Sequence, residues 1–237
     1  MATTVDFSPD SLTTLFDDAR AREIPLAIYR PSDLSVVPMS VVPTPVIFNH
    51  GYDKHREINA HSYLDYGYLC RTLADAGYYV ISIRHDLDSD PLLSMEKPYK
   101  INRMFSWKKG EQNILFVIDS LKKLYPHFNW KKLALIGHSN GGDMVMLTIT
   151  NHPDLAFKVV SLDHRRMPIP RTIHPNILSF RGCDYPADAG VLPNLMEQKE
   201  YGIKIISMPD VRHSDFGLQG TDLQHSMISD IVLQFMR

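Results

Sequence analysis

A chain of 237 residues, 44% hydrophobic and 22% charged, has enough apolar content for a core and the length of one α/β domain, which excludes disorder and collagen-like structure. Its formal net charge of −2, with Lys and Arg scattered, offers no basic face to a phosphate backbone, so nucleic acid is not an expected partner. No apolar run approaches the ~20 residues that cross a bilayer, and Met1 to Asp10 lacks an apolar signal core; the expectation is a soluble, cytoplasmic protein with no membrane partner, although a secreted chain already stripped of its leader would read the same way.

Short β-branched runs alternate with amphipathic stretches along the whole chain. That alternation predicts one domain over residues 1–237 with a mainly parallel sheet covered by helices on both faces. In chain order the predicted strands are Ile24–Tyr29, Pro45–Asn49, Tyr79–Ile83, Leu133–Ile136, Phe157–Leu162, Ile177–Phe180 and Ile203–Ser207. Helices are predicted between them at His61–Ala76, Trp107–Leu124, Gly141–Asn151, Pro193–Tyr201 and Thr221–Met236, the second stopped by Tyr125-Pro126 because the residue before proline leaves the helical region. His85 to Arg103 is polar and contains two prolines, and reads as a long loop of the kind that is often functional. Met104, Phe105 and Trp107 could shape a site there or simply pack the next helix.

Cys70 and Cys183 are too few for a disulfide framework or a four-thiolate zinc site, and are expected to be reduced, largely buried thiols. His50, His55 and His61 are five and six residues apart, which does not share one helical face, so no metal site is expected.

The chemistry concentrates at Leu133-Ala-Leu-Ile-Gly-His-Ser-Asn-Gly-Gly142, an apolar strand that runs into Gly137-His138-Ser139-Asn140-Gly141 and then into a helix. This is the G-x-S-x-G nucleophile elbow in its confirming context. The sharp turn projects Ser139 above the sheet, and the helix start places free N–H groups and a positive dipole end beside developing negative charge. A Ser hydroxyl needs a base at neutral pH. Of the later histidines, His152 ends the elbow helix and His225 lies inside the terminal one, whereas His213 follows the last apolar strand and a turn at Pro209-Asp210, within reach of Ser139. Val46-Ile-Phe-Asn-His-Gly-Tyr52 is a strand opening into His-Gly, which makes the backbone N–H groups of Tyr52 and Asn140 the expected oxyanion hole. For the acid, Asp163 at the end of Phe157–Leu162 and Asp184 after Ile177–Phe180 both qualify, with Asp188 close by. Each also has a plain alternative: Asp163 could pair with Arg165 or Arg166, and Asp184 or Asp188 could cap the turn before Val191.

With elbow, His-Gly loop and late His in this order, the chain from Phe16 to Arg237 resembles the α/β-hydrolase superfamily of serine hydrolases. Arg20-Ala-Arg-Glu-Ile-Pro-Leu-Ala-Ile-Tyr-Arg-Pro31 resembles the first hairpin of its dienelactone-hydrolase-like and acetylhydrolase-like branches. The resemblance implies Asp184 as the acid if the usual esterase pattern holds. It implies Asp163 if the chain follows the platelet-activating-factor acetylhydrolases and chlorophyllases, and Ser161-Leu-Asp-His-Arg-Arg-Met-Pro168 is similar to the acetylhydrolase run. Asp184 also sits two residues past Gly182 where the usual pattern has about three, so Asp163 is preferred. Ser139 departs from the Cys of dienelactone hydrolases, and their activity does not carry over. The short stretch from Leu162 to Ile177 leaves no room for a helical cap. The implied function is a capless carboxylesterase working through an acyl-enzyme on a small-molecule acyl substrate, with no cofactor. A peptidase or amidase of the same fold and a non-catalytic binding protein on a hydrolase scaffold are the alternatives.

Overall fold

The computed structural model describes residues 6–31, 42–52 and 62–237. The strands are β1 (Ser11–Asp17), β2 (Arg22–Tyr29), β3 (Thr44–Asn49), β4 (Tyr78–Ile83), β5 (Ala134–His138), β6 (Lys158–Leu162), β7 (Asn176–Arg181) and β8 (Lys204–Ser207). They form one sheet in the order β1-β2-β4-β3-β5-β6-β7-β8, parallel except where β2 pairs with β1 and β4. The helices are α1 (Gly67–Asp75), α2 (Tyr99–Asn102), α3 (Met104–Leu124), α4 (Ser139–Asn151), α5 (Leu195–Tyr201) and α6 (Asp222–Met236).

Side chains alternate across each strand, so neighbouring residues feed two cores on opposite faces of the sheet. Ile47, Ile81, Leu135, Val159 and Ile177 pack with Trp107, Ile114 and Val117 of α3 and Met144 and Val145 of α4. Val46, Phe48, Val80, Ile136, Val160 and Leu178 pack with Leu69 and Leu73 of α1 and Ile228 and Val232 of α6. Burial on both faces is why the interior strands read as unbroken apolar runs.

Each predicted strand and helix has a counterpart, displaced by a few residues at the ends. The start of the first predicted helix is a short 3-10 turn at Ser62–Leu64, and His61 lies outside the described residues. β1 has no counterpart among the predicted strands, although the resemblance to a first hairpin implies a strand before β2. It is an edge strand paired to β2 alone, with Leu12 and Phe16 more than half exposed, so it lacks the buried run that marks the interior strands. Cys70 is buried but Cys183 is exposed, which corrects the expectation for the second thiol: it stands in the turn beyond β7, outside both cores.

The segment after β4 is irregular up to α2 and is held by ions. Arg22 grips the Asp90 carboxylate at 2.8 and 2.6 Å and the His85 carbonyl at 2.8 Å, while Lys109 of α3 reaches Asp86 at 2.9 Å and Asp90 at 2.8 Å. Burial works to raise the Asp90 carboxyl, but Arg22, the Leu87 N–H and Lys109 outweigh it and hold it well below the usual range. Between β6 and β7, residues 163–175 form a connection without a helix, and no cap is inserted there. No helix among the described residues is long and apolar enough to cross a membrane.

Candidate active site

The parallel arrangement brings the carboxyl ends of β3, β5, β6 and β7 to one rim, and the sequence-predicted site residues meet there. β5 passes directly into α4 at Ser139, whose φ of 50° is the left-handed conformation a side chain other than glycine rarely adopts. The turn is tight because neighbouring backbone crowds it. A Cβ on Gly141 would lie 2.3 Å from the carbonyl oxygens of Asn49 and His50, and one on Gly51 would lie 2.8 Å from His138 Nδ1. Those two glycines let the β3 loop close down on the elbow.

Ser139 Oγ lies 2.8 Å from His213 Nε2, and His213 Nδ1 lies 2.6 Å from Asp163 Oδ2. Asp163 is fully buried, so its carboxylate fixes the tautomer: Nδ1 carries the proton it donates, and Nε2 is left as the acceptor facing the serine. The other Asp163 oxygen accepts the Gly182 N–H at 3.0 Å and lies 2.7 Å from Arg181 Nη2, an ion pair without hydrogen-bond geometry. A φ of 52° at Asp163 turns its side chain along the rim toward His213. Its partner is therefore Arg181 of β7 rather than Arg165 or Arg166.

Asp184 also reaches His213 but grips a different atom. Its Oδ1 accepts the backbone N–H of His213 at 2.8 Å, which anchors the loop and leaves the imidazole to Asp163. Asp188 pairs with Arg166, and its carbonyl accepts the Val191 N–H.

Gly51, Tyr52, Tyr66, His138, Ser139 and His213 line a cleft of about 330 Å³. Asn140 follows Ser139 in the first turn of α4, where backbone N–H groups have no carbonyl within the helix. Its side chain accepts the indole N–H of Trp107 at 2.9 Å. Trp107 is thus core and support for the elbow at once, whereas Phe105 is largely exposed.

Sequence reasoning missed two contributors, Tyr66 and His138. The Gly51 N–H donates to Tyr66 Oη at 3.2 Å, Tyr66 Oη lies 2.7 Å from His138 Nδ1, and His138 Nε2 lies 3.0 Å from the His213 carbonyl. A carbonyl only accepts, so His138 Nε2 carries the proton and Nδ1 accepts from the tyrosine. Burial, then the neighbouring His213, holds the His138 imidazole well below its usual range, which keeps this tautomer neutral. One relay therefore joins the β3 loop, the elbow and the loop of His213. No local pattern links Tyr66 to a histidine 72 residues away.

His50 is buried in a similar role. Its Nε2 accepts the His85 N–H at 2.9 Å and its Nδ1 faces Ser62 Oγ and the Gly51 carbonyl, so both ring nitrogens are engaged by protein groups. His55 lies outside the described residues.

Solved structures share the fold that carries this rim. The chain is similar to an α/β serine hydrolase without lid from Xanthomonas campestris at 14% identity, covering 96% of each chain with a TM-score of 0.59. It is also similar to Est1E from Butyrivibrio proteoclasticus, at 17% identity over 94% of this chain and 97% of that one, with a TM-score of 0.62. The chain has the α/β-hydrolase fold. A putative dipeptidyl aminopeptidase IV from Bacteroides ovatus shares the fold at 12% identity and a TM-score of 0.63, over 94% of this chain but only 35% of that one. No family model and no curated protein matches the sequence.

Proposed function

We propose that this α/β-hydrolase-fold protein is a serine hydrolase that cleaves carboxylic esters through an acyl-enzyme on Ser139. One observation carries the reading: the unbroken chain from Ser139 Oγ through His213 to the buried Asp163, set beside a cleft. His213 Nε2 takes the proton as Ser139 Oγ attacks the carbonyl. Asp163 accepts the Nδ1–H and stabilises the imidazolium without taking the proton. The N–H groups of Tyr52 and Asn140 receive the oxygen as it becomes charged, and the imidazolium then protonates the departing alkoxide. Water repeats the sequence in reverse and releases the acid, so the route draws on no metal or organic cofactor.

A cleft of about 330 Å³, with no cap inserted between β6 and β7, suits short, water-soluble acyl chains. The test is labelling with a fluorophosphonate probe together with a panel of p-nitrophenyl esters from acetate to palmitate and a matched p-nitroanilide. Labelling should be lost in Ser139→Ala, ester turnover should fall at least ~10⁴-fold in that variant, and short esters should outpace long ones and the anilide. Wild-type turnover by folded Ser139→Ala would defeat the reading, and a faster anilide would replace esterase by amidase.

A further inference from the structure

Beside His213, and not among the residues that line the cleft, stands a cation that the acyl-transfer scheme does not use. Arg165 Nη2 lies 3.4 Å from His213 Nε2, the atom that also faces Ser139 Oγ. The guanidinium packs over the Tyr185 ring at 4.6 Å, and among the described residues no carboxylate pairs with it. Its backbone is fixed on both sides: the Arg165 carbonyl accepts the Asp188 N–H at 2.9 Å, and the next two N–H groups, of Arg166 and Met167, both donate to Asp143 Oδ1 at 2.9 Å. Behind it, Arg103 and Arg166 stack over the Tyr99 ring at 4.6 and 4.4 Å. Arg166 is matched by Asp188, whereas Arg103 makes no close ion pair among the described residues and feels Asp143 only at longer range.

An unmatched guanidinium in that position works against the proposed chemistry. His213 must become positive in the transition state, and a like charge in near contact, partly shielded from water, opposes that charging. An anion seated on Arg165 would remove the opposition and fill the guanidinium fork with two charge-assisted hydrogen bonds. The benefit would then be largest in the transition state, where the imidazolium forms.

Resting on the esterase reading, we infer that Arg165 selects esters bearing a carboxylate a few bonds from the scissile carbonyl, such as half-esters of short dicarboxylic acids. A planar carboxylate matches the guanidinium geometry, and Arg103 adds positive potential behind it.

The experiment compares monoethyl succinate with ethyl 4-methylpentanoate, a neutral ester in which an isopropyl group replaces the carboxylate, by titrating the acid released. The wild type should favour the half-ester by at least ~10-fold in kcat/KM at low salt, with the preference shrinking as ionic strength rises. In Arg165→Gln the ratio of the two rates should fall at least ~10-fold, and Arg165→Lys, which keeps the charge but not the fork, should lie between. Fluorophosphonate labelling of each variant reports an intact Ser139. If Arg165→Gln does not fold, inhibition of the wild type's p-nitrophenyl acetate turnover decides: succinate should inhibit, with salt relieving it, and neutral succinamide should not. Turnover of both esters with no preference for the half-ester, or a preference that survives Arg165→Gln, or inhibition by succinamide equal to that by succinate, overturns this inference and leaves the esterase reading standing. Absence of turnover with absence of labelling defeats the esterase reading itself.

Discussion

The ends of β6 and β7 each present a carboxylate to His213, and the two do different work because they hold different atoms. Asp163 is fully buried, carries its side chain through a left-handed backbone, and meets the imidazole at 2.6 Å. Asp184 is exposed, lies in the turn beyond β7, and meets only the backbone N–H of the same residue at 2.8 Å. Nearness to His213 does not by itself make a carboxylate the acid of the proposed mechanism. What matters is which proton the carboxylate accepts: the Nδ1–H sets tautomer and charge, while the main-chain N–H sets only where the loop lies.

That contrast breaks most visibly if the imidazole contact is removed. Asp163→Asn is expected to lower kcat at least ~10²-fold with KM little changed, because an amide can present its NH₂ to Nδ1 and favour the wrong tautomer. Steady-state kinetics on a short p-nitrophenyl ester measures it. A kcat within a few-fold of wild type would remove Asp163 from the proposed mechanism.

A smaller effect should come from the relay that fixes the opposite side of the site. Tyr66→Phe deletes one hydroxyl and leaves both the Gly51 N–H and His138 Nδ1 without this partner, at a cost of about 1–3 kcal/mol in stability. Since Gly51 precedes Tyr52, a proposed oxyanion donor, the expected kinetic sign is a kcat reduced about tenfold with KM nearly unchanged, accompanied by a lower Tm. Loss of Tm with kcat intact would reduce the relay to a structural support.

Asp184→Asn should do least of the three to turnover. The amide oxygen can still accept the His213 N–H, and an exposed charge near a surface loop contributes little, so kcat should change less than ~3-fold. If this variant is the damaged one and Asp163→Asn is not, the two strand ends exchange roles while Ser139 and His213 keep theirs.

The sequence placed both carboxylates at strand ends but left the choice between them to a family resemblance, and the reason is geometric. Strand positions follow from apolar runs, whereas side-chain direction at Asp163 depends on one backbone angle and on Arg181 of the neighbouring strand, neither of which any local pattern encodes. The elbow was legible because its glycines, serine and flanking apolar residues are contiguous. Tyr66 and His138 were not, because their partnership is made across the fold. β1 escaped for the opposite reason to the interior strands, since its exposed edge gives no apolar run, and the Arg22–Asp90–Lys109 cluster that shapes the segment after β4 joins residues distant in sequence.

A third carboxylate sharpens the comparison through stability rather than turnover. Asp143 of α4 is buried beneath the connection that carries Arg165, where Oδ1 accepts the N–H groups of Arg166 and Met167. Burial pushes its carboxyl up to about 6, against the pull of those two N–H groups and of Arg103 and Arg166. A carboxyl that binds its proton more tightly folded than unfolded favours the folded state most below its unfolded value of about 3.9, and that contribution is lost as pH rises through about 6. Asparagine can supply the same accepting oxygen with nothing to ionise. Asp143→Asn should therefore gain on the wild type as pH rises from about 4 to 7, by roughly 2–3 kcal/mol for a shift near two units, and the difference should level off above neutrality. Urea unfolding of both proteins across that range measures it, since other titrating groups are common to the two and cancel. A difference that stays flat from pH 4 to 7 would mean that the Arg166 and Met167 N–H groups already compensate the buried charge, and that the connection under Arg165 rests on an ordinary carboxylate.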